Sequence, residues 1–125
     1  MILDTNALSA VADDDTGVAA VLARADLMAI PVIVLGEYRH GIAQSKNRAA
    51  YESWLTGLLN DCMVLDVTEP TTRLYADIVA ELKRKGKPIP TNDIWIAALC
   101  RQHSMPLLSR DRHFDFVAGS KRIEW

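Results

Sequence analysis

The segment Met1-Ile2-Leu3-Asp4-Thr5-Asn6-Ala7 decides the expected fold, because a short apolar run ends there in an acid. Such a run predicts a buried β-strand, and Asp4 then stands at the carboxyl end of that strand. Further apolar segments follow along the chain, at residues 27–30, 63–67, 106–109 and 121–125. We therefore expect a sheet of four or five strands.

Between these segments, apolar residues recur at the spacing of helices that bury one face. The pattern predicts helices at residues 5–11, 18–25, 32–44, 48–59, 69–85 and 93–100. Asn47 and either Thr91 or Asn92 are expected to cap two of them, Thr68 opens another, and Gly86 follows its basic end. The helix at 93–100 is apolar nearly all round, as expected of a buried helix. Alternating strands and helices of these lengths predict an α/β sandwich with a mostly parallel sheet.

The composition is that of one ordinary globular domain, which we expect to span residues 1–125. Half of these residues are apolar and 24% are charged, which is enough for a core without disulfides or a structural metal. Cys62 and Cys100 have apolar neighbours, so we expect buried free thiols in a reducing cytoplasm. No signal peptide or membrane span is expected. With a net charge of −2, nucleic-acid binding would rely on local basic patches or bound cations.

Four acidic residues fall where a parallel sheet would bring them together. Asp4 and Asp111 follow the first and fourth predicted strands, and open parallel sheets bind ligands beyond these ends. Asp93 lies in the first turn of the buried helix, where the dipole favours an anion. Glu37 lies next to apolar positions, which is unfavourable unless its carboxylate faces a polar or metal-filled crevice. Converging carboxylates repel one another, and a hard divalent cation such as Mg²⁺ or Mn²⁺ removes that repulsion.

Each acid also has a purely structural interpretation. Asp4 is a good helix N-cap, and an acid in a first turn, such as Asp93, stabilises a helix without any function. Glu37 and Asp111 could form ion pairs with basic neighbours in the sequence. The triplet Asp13-Asp14-Asp15 is expected to be a solvated loop that starts a helix.

Four segments, in order and at matching spacings, resemble the motifs of PIN domains. They are residues 1–7 (MILDTNA), 31–42 (PVIVLGEYRHGI), 90–98 (PTNDIWIAA) and 107–114 (LLSRDRHF). The chain is most similar to the VapC-type toxins of bacterial toxin–antitoxin pairs. This resemblance implies a three-layer α/β/α PIN-like sandwich and an endoribonuclease that uses Mg²⁺ or Mn²⁺, is often dimeric and is held inactive by an antitoxin. An apolar groove near the helices at 18–25 and 48–59 would seat that antitoxin.

Carried over position by position, the resemblance assigns metal binding and catalysis to Asp4, Glu37, Asp93 and Asp111. Thr5 and Ser109 would tune or orient two of these acids through their hydroxyls, and Asn6 would help through its amide. Either Asp111 or Asp115 could face the site, depending on where the fourth strand ends. We favour Asp111, because it follows the strand directly.

Basic residues near these acids are expected to meet the RNA backbone. They are Arg110, Arg112, Lys85 and Lys87. A basic run at the end of a helix also suits the helix dipole, so segment 83–87 has an equally good structural interpretation. The three histidines share no ligand spacing and are expected to be structural or surface groups, although His113 lies close enough to Asp111 to touch substrate.

The main alternative is a catalytically silent PIN-like module that binds RNA or protein. Loss of an acid from the set of four would indicate it, and all four are present. A phosphatase of the haloacid-dehalogenase type is disfavoured, because it needs a second aspartate where Asn6 stands. A dinucleotide-binding domain is disfavoured because no Gly-x-Gly-x-x-Gly follows the first strand.

Overall fold

A parallel sheet runs through the middle of the molecule. The computed structural model describes residues 1–125 and contains five strands. The strands are β1 (Ile2–Leu3), β2 (Ala29–Pro31), β3 (Met63–Leu65), β4 (Leu107–Leu108) and β5 (Arg122–Ile123). They lie in the order β3-β2-β1-β4-β5, and every neighbouring pair is parallel. The predicted parallel sheet of four or five strands is confirmed.

Six α-helices connect these strands. They are α1 (Thr5–Ala12), α2 (Thr16–Leu22), α3 (Val32–Ile42), α4 (Arg48–Leu59), α5 (Glu69–Lys85) and α6 (Thr91–His103). A short 3-10 helix, Arg112–Phe116, follows β4. Every predicted helix is present. None of the six has the length and apolar character that a membrane span requires.

Helices cover the sheet on both faces. Ile2 and Leu107 are buried in the larger core, together with residues of α3, α5 and α6. Leu3 and Leu108 pack with Val18 of α2 in a second, smaller core. Successive side chains of a strand point to opposite faces of the sheet. Because neighbouring strand residues face opposite cores, the sheet lies between two layers of helices. This is the three-layer α/β/α sandwich that the resemblance to PIN domains implied.

The neighbouring positions of β1 and β4 in the centre of the sheet fix where a site can form. Leu3 pairs with Leu108, and neither has exposed surface. Because the two strands are parallel and in register, Asp4 and Ser109 follow them side by side at one edge of the sheet. From β1 the chain continues to β2 and β3 on one side, and it then crosses to β4 on the other side of β1. Open α/β sheets bind ligands at such a topological switch point.

Local chemistry sets the helix ends, and one expectation about them is wrong. Thr68 forms a capping box with Thr71 at the start of α5, and Gly86 ends this helix in the left-handed region at φ 63°. Thr91 or the residue after it was expected to cap α6. The helix instead begins at Thr91, with Pro90 at the N-cap position and no side-chain cap. The proline ring restricts φ to values suited to this entry.

Helix α6 is the buried helix that the sequence predicted, and α5 packs along it. Residues 96–99 have no exposed surface. This rigid setting holds Asp93, in the first turn of α6, at the carboxyl edge of the sheet. Both cysteines are free thiols, Cys100 buried and Cys62 only partly so.

Candidate active site

Asp4 is a buried carboxylate at the end of β1, with 5% of its surface exposed. Its Oδ1 accepts a hydrogen bond from the backbone N–H of Thr5 (2.8 Å), so Asp4 also caps α1. Its Oδ2 accepts hydrogen bonds from Ser109 Oγ (2.6 Å) and Asn6 Nδ2 (3.1 Å). Burial raises the pKa of Asp4, and these hydrogen bonds only partly offset that effect.

Ser109 and Asn6 join the ends of β1 and β4. The Ser109 hydroxyl is fully buried and accepts a hydrogen bond from the backbone N–H of Asp111 at 2.9 Å, while donating to Asp4. Asn6 Oδ1 accepts a hydrogen bond from the backbone N–H of Arg110 at 3.2 Å. The segment that carries Asp111 is thereby held against the start of α1.

Glu37 reaches the same edge of the sheet from α3. Its Oε1 accepts a hydrogen bond from Thr5 Oγ1 at 2.9 Å, and its charge contributes to the raised pKa of Asp4. The ion pair with Arg39 does not form, because Arg39 binds Glu52 at 3.3 Å. Glu37 and Thr5 also line an open cleft of about 620 Å³.

Asp93, Asp111 and His113 form a compact group of possible ligands. Their ligand atoms all lie within 4.8 Å of one another. His113 Nδ1 is 3.3 Å from Asp93 Oδ2 and 3.2 Å from Asp111 Oδ1. Asp111 does not pair with a neighbouring arginine. Its Oδ1 accepts the backbone N–H of His113 at 2.9 Å and thereby caps the 3-10 helix.

The electrostatics link this group to Asp4. Burial raises the pKa of Asp93 to about 6, the charges of Asp4 and Asp111 raise it as well, and His113 opposes them. Asp111 and Glu37 likewise contribute to the raised pKa of Asp4. Four chain segments remote in sequence thus bring four acids together, and Asp4 interacts electrostatically with each of the other three. Such a site favours the binding of positive charge.

Residues 1–120 match the PIN domain family. The chain belongs to the PIN domain family. It is 30% identical to the VapC ribonuclease Y4jK of Sinorhizobium fredii, over 89% of this chain and 86% of that protein. It is 27% identical to ribonuclease VapC5 of Mycobacterium tuberculosis, over 79% of this chain and 75% of that protein.

A solved structure of VapBC2 from Rickettsia felis, bound to a DNA fragment from its promoter, has a closely similar fold. The TM-score is 0.87 at 26% identity, over 99% of this chain and 97% of that one. These comparisons confirm the resemblance to PIN domains and VapC proteins that the sequence motifs indicated.

Within this PIN domain, Asp115 stays outside the acidic group. Its two oxygens accept hydrogen bonds from the Arg122 guanidinium at 2.7 and 3.1 Å, and this ion pair lowers the pKa of Asp115. The hypothesis that Asp115 faces the site is therefore corrected. The strand β4 ends at Leu108, which leaves Asp111 as the acid that turns toward Asp93.

His113 is the residue of this PIN domain that the sequence analysis undervalued. The three histidines share no ligand spacing with one another, and the relevant partner of His113 is an acid two positions earlier. A 3-10 turn capped by Asp111 folds the His113 ring back onto that acid. The sequence Asp111-Arg112-His113 indicates the contact between His113 and Asp111 only if one assumes a tight turn at these residues.

The basic residues expected to bind RNA have partners within the PIN domain, apart from Arg112, which is exposed. The Arg110 guanidinium lies 4.2 Å from the centre of the Trp125 ring. Lys85 Nζ donates to the carbonyl of Phe116 at 3.1 Å, and Lys87 Nζ lies 5.3 Å from the centre of its ring. These lysines therefore lie beside the 3-10 helix Arg112–Phe116, which Asp111 caps.

The donor set of the site fits a divalent metal ion. Carboxylate oxygens are the ligands that Mg²⁺ and Mn²⁺ prefer, and an imidazole nitrogen is acceptable to transition ions. Asp93, Asp111 and His113 supply three donor atoms within 4.8 Å. Asp4 and Glu37 adjoin this group without belonging to it, and the hydrogen bonds to their carboxylates hold them in place.

Proposed function

We propose that this PIN domain, as one unit over residues 1–125, is a divalent-metal-dependent endoribonuclease and the toxin of a toxin–antitoxin pair. The observation that carries the proposal is the convergence of Asp4, Asp93 and Asp111 at the carboxyl edge of the sheet, with Glu37 beside them. The names of the relatives, VapC ribonucleases and VapBC, support the same function. An RNA phosphodiester is therefore the substrate class.

Asp93 and Asp111 are the acids that would hold Mg²⁺ or Mn²⁺ directly, and Asp4 is the adjoining acid whose negative charge would add to the attraction for the ion. When bound, the ion supplies positive charge against the phosphodiester and acidifies a nearby water. Because the pKa of Asp93 is raised to about 6, protons compete with the ion for this carboxylate below about pH 6. The hydrogen bonds from Ser109 and Asn6 orient Asp4 for this task.

Glu37 is placed to act on the attacking water. It stands outside the compact donor group, and Thr5 holds its Oε1, which leaves Oε2 directed to other partners. In the reaction, a water oxygen bonds to phosphorus, its proton passes to the Glu37 carboxylate, and the bond from phosphorus to the leaving ribose oxygen breaks. The leaving oxygen takes up a proton from solvent, and Glu37 releases its proton to solvent, which restores the carboxylate. The cleft that Glu37 lines gives the RNA strand access.

The RNA backbone would follow basic residues next to the site. Arg112 is exposed one position beyond Asp111. Lys85 and Lys87 lie beside the 3-10 helix that contains Arg112. Arg110 contributes less in this proposal, because Trp125 already engages its guanidinium.

The antitoxin would bind at clefts next to α2 and α4. Residues of α2 line one cleft together with Met1 and Ile123. Tyr51 of α4 lines a second one with residues of α1 and α3. The single groove expected near both helices is thus replaced by two clefts. The homodimer and the cytoplasmic location remain predictions, and the two free thiols fit a reducing compartment.

Cleavage of RNA by the purified protein tests the proposed function. We expect cleavage with Mg²⁺ or Mn²⁺, none with EDTA, and none after Asp4→Asn or Asp93→Asn, with each variant folded by circular dichroism. Asp77→Asn is the matched control, because Asp77 is an exposed acid on α5. Equal cleavage by the parent and Asp4→Asn proteins contradicts the proposal. RNA binding without cleavage supports the silent module instead.

A further inference from the structure

The His113 imidazole stands between two carboxylates and cannot satisfy both. A ring nitrogen carries at most one proton, so it donates to one oxygen at a time. Nδ1 lies 3.3 Å from Asp93 Oδ2 and makes its hydrogen bond there. It also lies 3.2 Å from Asp111 Oδ1, an oxygen that already accepts the backbone N–H of His113. Nδ1 makes no hydrogen bond to Asp111 despite this distance, so hydrogen bonding from the ring does not account for the second approach.

The two separations that involve Nδ1 fit neighbouring ligands of one ion. In octahedral coordination with bonds of about 2.0–2.1 Å, neighbouring ligand atoms are about 3 Å apart. The two Nδ1–oxygen distances, 3.2 and 3.3 Å, are close to that value. The His113 side chain is 46% exposed, so solvent reaches the ring and an ion has an open path to it.

We propose that His113 Nδ1 is a protein ligand of the ion, beside Asp93 and Asp111, and that it biases the site from Mg²⁺ toward first-row transition ions such as Mn²⁺. The inference rests on the proposed function, because it concerns the ion of that same site. Mg²⁺ selects oxygen ligands and keeps several of its waters, whereas nitrogen ligands raise affinity for transition ions. An all-carboxylate site lacks this source of selectivity.

A competing interpretation makes the opposite prediction. If His113 is protonated and serves only as a counter-ion for Asp93 and Asp111, its positive charge repels a divalent ion. Its removal would then strengthen the binding of both Mg²⁺ and Mn²⁺. If His113 is a ligand, its removal weakens binding, and weakens Mn²⁺ binding more.

The test compares the parent protein with His113→Gln and a matched control, His103→Gln. His103 is an exposed residue at the end of α6. Affinities for Mn²⁺ and Mg²⁺ come from titration calorimetry, and pulsed electron paramagnetic resonance of the Mn²⁺-loaded proteins detects a coordinated ¹⁴N. We expect nitrogen coupling in the parent and control proteins, and its loss in His113→Gln.

We also expect His113→Gln to lower Mn²⁺ affinity by at least about 10-fold and Mg²⁺ affinity by less than about 3-fold. Absence of nitrogen coupling in the parent, its persistence in His113→Gln, or an unchanged ratio of Mn²⁺ to Mg²⁺ affinity overturns the assignment of His113. The proposed function survives those results if the parent still binds either ion and cleaves RNA. A parent that binds neither ion refutes both proposals.

Discussion

The Ser109 hydroxyl donates a 2.6 Å hydrogen bond to Asp4 Oδ2, although the two residues are 105 positions apart in the chain. Both groups are buried at the edge of the sheet, and the same hydroxyl accepts the backbone N–H of Asp111. One small side chain therefore sets the relative positions of two acids. This relationship makes Ser109 the most informative supporting position of the site.

Ser109→Ala is expected to weaken ion binding while the protein stays folded. The substitution leaves the buried Asp4 carboxylate with one fewer donor, which raises the pKa of Asp4 further, and frees the Asp111 loop. Loss of such a supporting hydrogen bond typically costs 10- to 100-fold in metal affinity, a range of about 1.4 to 2.7 kcal/mol. Calorimetric Mn²⁺ titration of Ser109→Ala against Ser53→Ala, an exposed serine on α4, measures the effect. Equal affinities would show that Ser109 is only a packing residue.

The stability of the metal-free protein is expected to fall as pH rises from 4 to about 6.5. The folded-state pKa of Asp93 is about 6, above the unfolded value, because of burial and the charges of Asp4 and Asp111. A raised pKa means that the folded state binds this proton more tightly than the unfolded state does. The contribution of Asp93 protonation to the free energy of unfolding is therefore complete below about pH 4 and is lost as pH rises through 6. Its size is on the order of 3 kcal/mol.

Urea unfolding in EDTA across this pH range tests the effect, with Asp93→Asn as the comparison. The asparagine variant should show a flatter pH dependence, with the remaining slope due to the raised pKa of Asp4. Saturating Mn²⁺ should remove the fall in the parent protein, because the bound ion replaces the proton. Parallel curves for the parent and the variant would contradict the raised pKa.

Asp111 and Asp115 are expected to differ sharply although they lie four positions apart. Asp111→Asn removes a carboxylate from the donor group and should lower Mn²⁺ affinity at least about 10-fold. Asp115→Asn breaks the ion pair with Arg122 outside the site, so ion affinity should stay within about 2-fold. Asp115 is about half exposed and Arg122 keeps its ion pair with Glu124, so urea unfolding should show a loss of no more than about 1 kcal/mol. A strong loss of ion affinity in Asp115→Asn would show that Asp115 contributes to the site.

The fold and the four acids could be predicted because they depend on local patterns. The apolar run before Asp4 and the apolar surroundings of Glu37 are visible in the sequence, and the PIN resemblance gives their order. The pairing of Asp115 with Arg122 could not be predicted, because it depends on the path of β5 beside β4. The approach of His113 to Asp93 depends on a 3-10 turn that meets the start of α6. Both contacts join separate segments of the chain, which local sequence patterns do not specify.

Glu37→Gln should separate catalysis from ion binding. Glu37 lies outside the compact donor group, so the variant should keep Mn²⁺ affinity within about 3-fold. It should lose about 10²- to 10⁴-fold in kcat, because the amide cannot take up a proton from water. Single-turnover cleavage beside calorimetry measures both quantities. Should ion affinity and kcat fall together, Glu37 is a ligand rather than the base.

Two glycines should respond to alanine in opposite directions. Gly86 has φ 63° at the end of α5, a conformation in which alanine costs about 1–2 kcal/mol. Gly57 lies within α4 with no atom within 4 Å of an added Cβ, so alanine there should stabilise the helix by about 0.5–1 kcal/mol. Urea unfolding of Gly86→Ala and Gly57→Ala measures both changes. Gly57 is remote in sequence from the four acids and from the proposed RNA-binding residues, so RNA cleavage by Gly57→Ala at 25 °C should match the parent rate. A lower rate in this stabilised variant would show that motion of α4 limits the reaction.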